Sequence, residues 1–104
     1  MSTAVRSPSE LPGGLTVAGN FPNPFSSKTT IRYDLPTHAR VHLDVLNMVG
    51  KKVMSLPDRD VDAGFGRSVD VDAGALASGV YMYHLVAVES TGTVRSSGEF
   101  VVLH

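Results

Sequence analysis

The chain predicts an all-β fold, an antiparallel β-sandwich of about seven strands. Three observations carry that expectation. Apolar residues recur with a period of two from Leu15 onward, the signature of strands with one wet face. Clusters of Gly, Pro, Asn and Asp punctuate the alternating runs at intervals suited to turns. No stretch shows the 3.6-residue period of an amphipathic helix. At 104 residues the chain has room for one core and one domain.

Met1–Gly14 (MSTAVRSPSELPGG) is small, polar and proline-punctuated, the composition of a flexible linker. A linker there suggests that something precedes the sandwich, which is expected over residues 15–104. Next comes GNFPNPFSSKTTIRYDLP, Gly19 to Pro36. Pro22 and Pro24 fix φ and withdraw two backbone donors, so strand pairing must break there. Asn20 and Asn23 can satisfy the freed backbone locally, and Phe21 and Phe25 can cap the open end of the sandwich. The segment reads as a stiff corner leading into a strand over Lys28–Leu35, with Ile31, Tyr33 and Leu35 inward. Val41, Leu43 and Val45 mark the next strand. Asn47–Gly50 reads as a hairpin loop, Gly50 supplying positive φ, before a strand over Lys51–Leu56.

Arg67–Asp72 alternates again, with Val69 and Val71 inward. Asp72–Gly79 suits one helical turn, capped by Asp72, plugging the core with Leu76 and ended by Gly79 in the left-handed region. Gly79–Glu89 is apolar on both phases and is expected to be central. Thr91-Gly92 turns the chain, and Val94–Leu103 returns as the last strand with its phase left open. No Cys–Trp–Cys signature is present, so aliphatic residues and tyrosine must close the core. Tyr81 and Tyr83 stand where a sandwich often fixes a corner with a phenolic hydrogen bond.

Composition excludes several function classes. The formal charge is −1 with both signs scattered, so no basic stripe points to nucleic acid. Cysteine is absent, which removes disulfides, thiolate chemistry and Cys-type zinc sites. Apolar stretches fall far short of the ~20 residues that span a bilayer. Gly64-Phe65-Gly66 lacks the third glycine and following helix of a nucleotide fingerprint and reads as a turn. Asp58, Asp60, Asp62, Asp70 and Asp72 raise the thought of calcium. The run Asp58–Asp62 lacks the glycine and distant glutamate of an EF-hand loop, and a solvated loop between sheets is the expectation. His42 and His84 sit on outward phases of strands expected to be neighbours. If they pair they could share a transition metal, although two ligands make a weak site and surface imidazoles are ordinarily just solvated. Ser96 and Ser97 have no identifiable base. Neither a catalytic set nor a cofactor is expected.

Four segments resemble one family. FPNPFSSKTTIRYDLP, VHLDVLNMVGKKVMSL, GFGRSVDVDAGALASGVYMYHL and EFVVLH look like the C-terminal sorting domains of the type IX secretion system, in its type A class with an immunoglobulin-like, hook-capping-type fold. The likeness runs from about Gly19 to His104, in the family's order and spacing. Most of its weight rests on the Asn-Pro corner (Asn20, Pro22, Asn23, Pro24, Phe25), the hairpin at Gly50, and the block from Asp72 and Leu76 to Gly79-Val80-Tyr81. The resemblance implies a non-catalytic module fused to an N-terminal cargo, often a hydrolase or adhesin. It also implies export through the periplasm, reading by an outer-membrane translocon, and removal by a sortase-like peptidase at the surface, the cut falling within Met1–Gly14. On this reading Gly79, Tyr81, Glu99, Phe100, Val101, Val102, Leu103 and His104 form the recognised part. Glu99 and His104 stand where the family usually carries lysine or arginine. The domain is expected to act as a monomer. Two other readings stay open: a carbohydrate-binding accessory module, whose platform would need Tyr81 and Tyr83, and a structural assembly module like a hook cap.

Overall fold

Period-two alternation becomes seven strands, two antiparallel sheets and no helix in the described residues. A computed structural model of the chain describes residues 15–104; Met1–Gly14, where the linker is expected, lie outside them. The strands are β1 (Thr16–Phe21), β2 (Lys28–Leu35), β3 (Ala39–Leu46), β4 (Lys52–Val61), β5 (Gly64–Asp72), β6 (Gly79–Glu89) and β7 (Gly92–Val102). One sheet runs β1-β2-β5 and the other β4-β3-β6-β7. The β4–β5 connection therefore crosses from sheet to sheet, as do β2–β3 and β5–β6.

The expected phases hold in the core. Ile31, Tyr33 and Leu35 of β2 face Val41, Leu43 and Val45 of β3, all buried. Val69, Val71, Tyr81, Tyr83, Leu85 and Ala87 complete the packing. β6 lies between β3 and β7, but only one of its phases is buried: Val80 and Val88 are exposed on the other. The phase left open in the last strand is settled by packing. Phe100 and Val102 point inward and are wholly buried, whereas Leu103 is exposed. Phe100 is the keystone, edge-on to Phe25 at 5.0 Å and stacked on Tyr83 at 6.0 Å. Fully burying such a side chain stabilises by about 1.5–3 kcal/mol.

Several local expectations need correcting. β4 does not stop at Leu56 but runs to Val61, so Asp58 and Asp60 lie on a strand rather than in a loop. The reason is a bulge: Val41 pairs with Arg59 but Leu43 with Leu56, leaving Pro57 and Asp58 together opposite His42. A bulge on an edge strand is where proline is tolerated within a sheet. Gly64-Phe65-Gly66 likewise belongs to β5 and is not a turn. The register with β2 slips between Tyr33 and Leu35, and Gly66 takes φ 65° with its N–H donated to Asp34 Oδ1 at 2.8 Å.

Asp72–Gly79 is no helical turn. Asp72 closes β5, and Ala73 is fixed by donating its N–H to Ser27 O at 2.7 Å. The chain then makes one i+3 turn, Leu76 N–H to Ala73 O at 3.0 Å. Asp72 still accepts from the Gly74 N–H at 3.1 Å, and Leu76 packs partly buried against the core. Gly79 opens β6 with φ 159°. Positive φ was expected there, but this value is near-extended rather than left-handed helical.

Candidate functional site

The Asn-Pro corner is tied to the C-terminal strand 78 residues away in sequence. Asn23 Oδ1 accepts from the Val101 N–H at 2.9 Å. Phe25 donates its N–H to Val101 O at 3.0 Å and accepts from the Leu103 N–H at 2.9 Å. Phe25 thereby forms a parallel bridge beside Val102 and is itself buried. Both peptide bonds preceding Pro22 and Pro24 are cis. The expectation of a purely local asparagine role holds for Asn20 and fails for Asn23. Asn20 is buried, donating to Thr29 Oγ1 at 3.1 Å while Thr29 donates to Pro22 O at 2.7 Å. Asn23 reaches across the sandwich instead. Of the two phenylalanines expected to cap the end, Phe25 does so and Phe21 stays 55% exposed.

The residues implied in recognition divide into two sets. Tyr81, Phe100 and Val102 are buried, so they shape the strand from beneath. The Tyr81 hydroxyl donates to Ala77 O at 2.7 Å, the phenolic corner bond expected of this position. Glu99, Leu103 and His104 are exposed and Val101 partly so. His104 closes the end of the chain, donating its N–H to Ser78 Oγ at 3.0 Å, with its Nε2 2.7 Å from Leu76 O. Gly79 pairs with Val102. All eight residues therefore gather at one end of β6 and β7, with the block from Leu76 to Ser78 holding the terminus.

A polar cluster on the outer face of β3 and β4 escaped sequence reasoning. His42 Nδ1 lies 2.6 Å from Asp58 Oδ1 and its Nε2 2.8 Å from Asp44 Oδ1. Ser55 donates its hydroxyl to Asp44 Oδ1 at 2.6 Å and lies 3.3 Å from His42 Nε2. Lys52 and Arg40 extend the ladder at 3.4 Å from Asp44 and 3.5 Å from Asp58. The Ser55–His42–Asp58 order resembles a nucleophile, base and orienter. The chemistry differs, because both ring nitrogens face carboxylates and so both donate. Burial pulls the His42 pKa down, but hydrogen bonds and attraction from Asp44 and Asp58 outweigh it, and the net shift is upward. Burial alone would raise Asp44, yet the Ser55 hydroxyl, His42 and Lys52 bring it below the usual carboxylate range. In its protonated form, with both ring nitrogens donating to carboxylates, His42 has no lone pair left to accept a proton from Ser55. The bulge at Pro57–Asp58 made this cluster, and nothing in the spacing of the sequence announces it.

The metal expectations fare differently. His42 and His84 share the outer face of neighbouring strands, but His84 stands opposite Asp44 and His42 opposite Val86. Among the described residues, no group of three or more His, Cys, Asp or Glu is placed to hold a metal ion. The five aspartates do not share a loop. Asp58 and Asp60 lie on β4, Asp70 and Asp72 on β5, and Asp70 accepts from the Thr30 hydroxyl at 2.8 Å. Tyr81 and Tyr83, on which a sugar platform would rest, are buried. A shallow depression of about 230 Å³ lies over His84, Arg95, Ser96 and Ser97.

Two packed antiparallel sheets, with the last strand at a sheet edge and its end clamped by a proline corner, define a small β-sandwich. The model of the secretion system C-terminal sorting domain matches residues 20–96, and the chain belongs to that family, whose members are sorting tails of the type IX system. Ser97–His104 follow the matched stretch. Dimeric latent PorU from Porphyromonas gingivalis contains a similar structure, with a TM-score of 0.67 and 20% identity, covering 86% of this chain and 9% of PorU. CopC from Methylosinus trichosporium OB3b is similar at a TM-score of 0.57 and 20% identity, covering 85% of this chain and 92% of CopC. Likeness at that identity speaks for the fold alone. The chain spans a small part of PorU and most of CopC. No curated protein matches it.

Proposed function

We propose that residues 15–104 are a non-catalytic sorting domain that directs a cargo fused to its N-terminus through the type IX system to the cell surface. Membership of the sorting-domain family over residues 20–96 is the observation that carries this reading. In it, an outer-membrane translocon reads the domain after export to the periplasm. A sortase-like peptidase then removes it by cutting within Met1–Gly14, and the cargo, a hydrolase or adhesin, is anchored or released. Glu99, Val101, Leu103 and His104 offer side chains a translocon could touch on a folded domain. Gly79, Tyr81, Phe100 and Val102 hold that end of the sheet in shape. The clamp from Asn23 and Phe25 supports a role for a fixed, not a loose, C-terminal strand.

The test is a fusion of the full chain, residues 1–104, to a periplasmic reporter in a type IX-competent host. Surface display is expected, and full retention in the periplasm would count decisively against the proposal. A Glu99→Lys/His104→Lys variant, which restores the charge usual in the family, should be displayed at least as efficiently.

A further inference from the structure

We propose that β7 mediates a weak, two-fold symmetric self-association, in which the free edges of two copies pair antiparallel about Ser97. The inference rests on geometry that does not depend on the sorting reading.

β7 is the end strand of its sheet. The clamp reveals which of its residues face outward along the edge. Val101 directs both its N–H and its C=O away from β6, towards Asn23 and Phe25. Backbone groups alternate sides along a strand, so Glu99, Ser97, Arg95 and Thr93 direct theirs the same way. None of these four has a hydrogen-bonded strand partner on that side among the described residues, although β1 lies near part of β7. An edge of this kind is a template for another strand.

The side chains select the occupant and the register. Thr93, Arg95, Ser97 and Glu99 are all exposed and share one face. Neither Arg95 nor Glu99 has an ion-pair partner among the described residues. Antiparallel pairing of Ser97 with Ser97 of a second copy sets Arg95 opposite Glu99 and, by symmetry, Glu99 opposite Arg95. Three facing residue pairs then exchange backbone hydrogen bonds, and the outer two of them are identical opposite-charge pairs. Shifting the centre to Arg95 or to Glu99 instead sets like charges face to face, which is destabilising. The clamp limits the interface as well. Val101 has already committed its donor and acceptor to the corner, so pairing ends at Glu99. A self-complementary patch of this sort is what a closed two-fold dimer requires.

Three backbone pairs make a small interface, so association belongs at the weak end of the range. Strand order, not alternation, creates this edge, so the sequence pattern alone does not display it.

The experiment is sedimentation equilibrium of the full chain, from micromolar to millimolar concentration at low salt, with four samples. The parent should dimerise with concentration. Arg95→Glu and Glu99→Arg should each weaken dimerisation on the order of tenfold, because symmetry turns two attractive pairs into two repulsive ones. Mixing the two variants should restore it, since each supplies what the other repels. Amide exchange at high concentration should slow at Arg95, Ser97 and Glu99 and not at Thr91. A parent that stays monomeric at millimolar concentration overturns the proposal. Association that neither substitution weakens, or that mixing fails to restore, overturns it too.

Discussion

Gly98 is the position where a single methyl group should be most costly. It pairs with Tyr83 across β6 and β7, and the phenol ring lies over it. A Cβ built on Gly98 would stand 2.5 Å from Tyr83 Cζ and 2.8 Å from Cε2, far inside van der Waals contact. The ring has little room to retreat. It is stacked on Phe100, which is wholly buried and braced in turn by Phe25. Gly98 is not among the glycines with positive φ, so the requirement is steric rather than conformational. Overpacking of this kind costs about 1–3 kcal/mol. Replacing glycine also restricts the unfolded chain, which offsets roughly 0.4–1 kcal/mol. Gly98→Ala should therefore lose on the order of 1.3 kcal/mol, a fall in Tm of roughly 5–10 °C for a domain near this size. Thermal unfolding followed by near-ultraviolet circular dichroism would read it. The cause can be isolated in a Tyr83→Leu background, where the same alanine should cost less than about 0.5 kcal/mol because the clashing ring is gone. An alanine variant as stable as the parent, or an equal loss in both backgrounds, would refute the reasoning.

Three further outcomes follow from other parts of the fold. His42 has a pKa above the usual 6.5 in the folded state, so its contribution is complete below that value and is lost as pH rises through the folded pKa. Denaturant midpoints of the parent should fall from about pH 6.5 upward, and His42→Gln should flatten that part of the profile; an unchanged slope would remove His42 as its source. Asn23→Ala deletes the acceptor for Val101 N–H and should cost roughly 0.5–1.5 kcal/mol, with faster amide exchange at Val101 than at Val86 as the local readout. Deleting Phe100–His104 strips Phe100 and Val102 from the core at about 1.5–3 kcal/mol each and leaves the start of β6, Gly79 to Tyr81, as a new edge. That variant should unfold or aggregate, and a folded, soluble monomer by light scattering would contradict the place given to β7.

In β2, β3 and β5 local pattern alone settled which residues face the core. Ile31–Leu35, Val41–Val45 and Val69–Val71 could be placed inward because side-chain direction in a strand depends only on parity. Gly50 could be assigned its positive φ, now 85°, because a short loop closing two such runs requires it. The family was legible too, since the Asn-Pro corner and the block around Gly79-Val80-Tyr81 keep their order and spacing along the chain. Other features needed the tertiary structure. The helical turn expected over Asp72–Gly79 is reduced to the single hydrogen-bonded turn from Ala73 to Leu76, and Ala73 is bonded to Ser27, a partner 46 residues away that no local propensity can report. The β4 bulge is a register decision between two strands, and it alone carries Asp58 to His42. The bond from Asn23 to Val101 joins the first and last parts of the domain, and the open edge of β7 exists only because of strand order. Parity and turn chemistry act over a few residues and are written in the chain. Register, strand order and contacts between distant segments are chosen by the whole core at once, and those choices placed the corner clamp, the His42 cluster and the edge of β7.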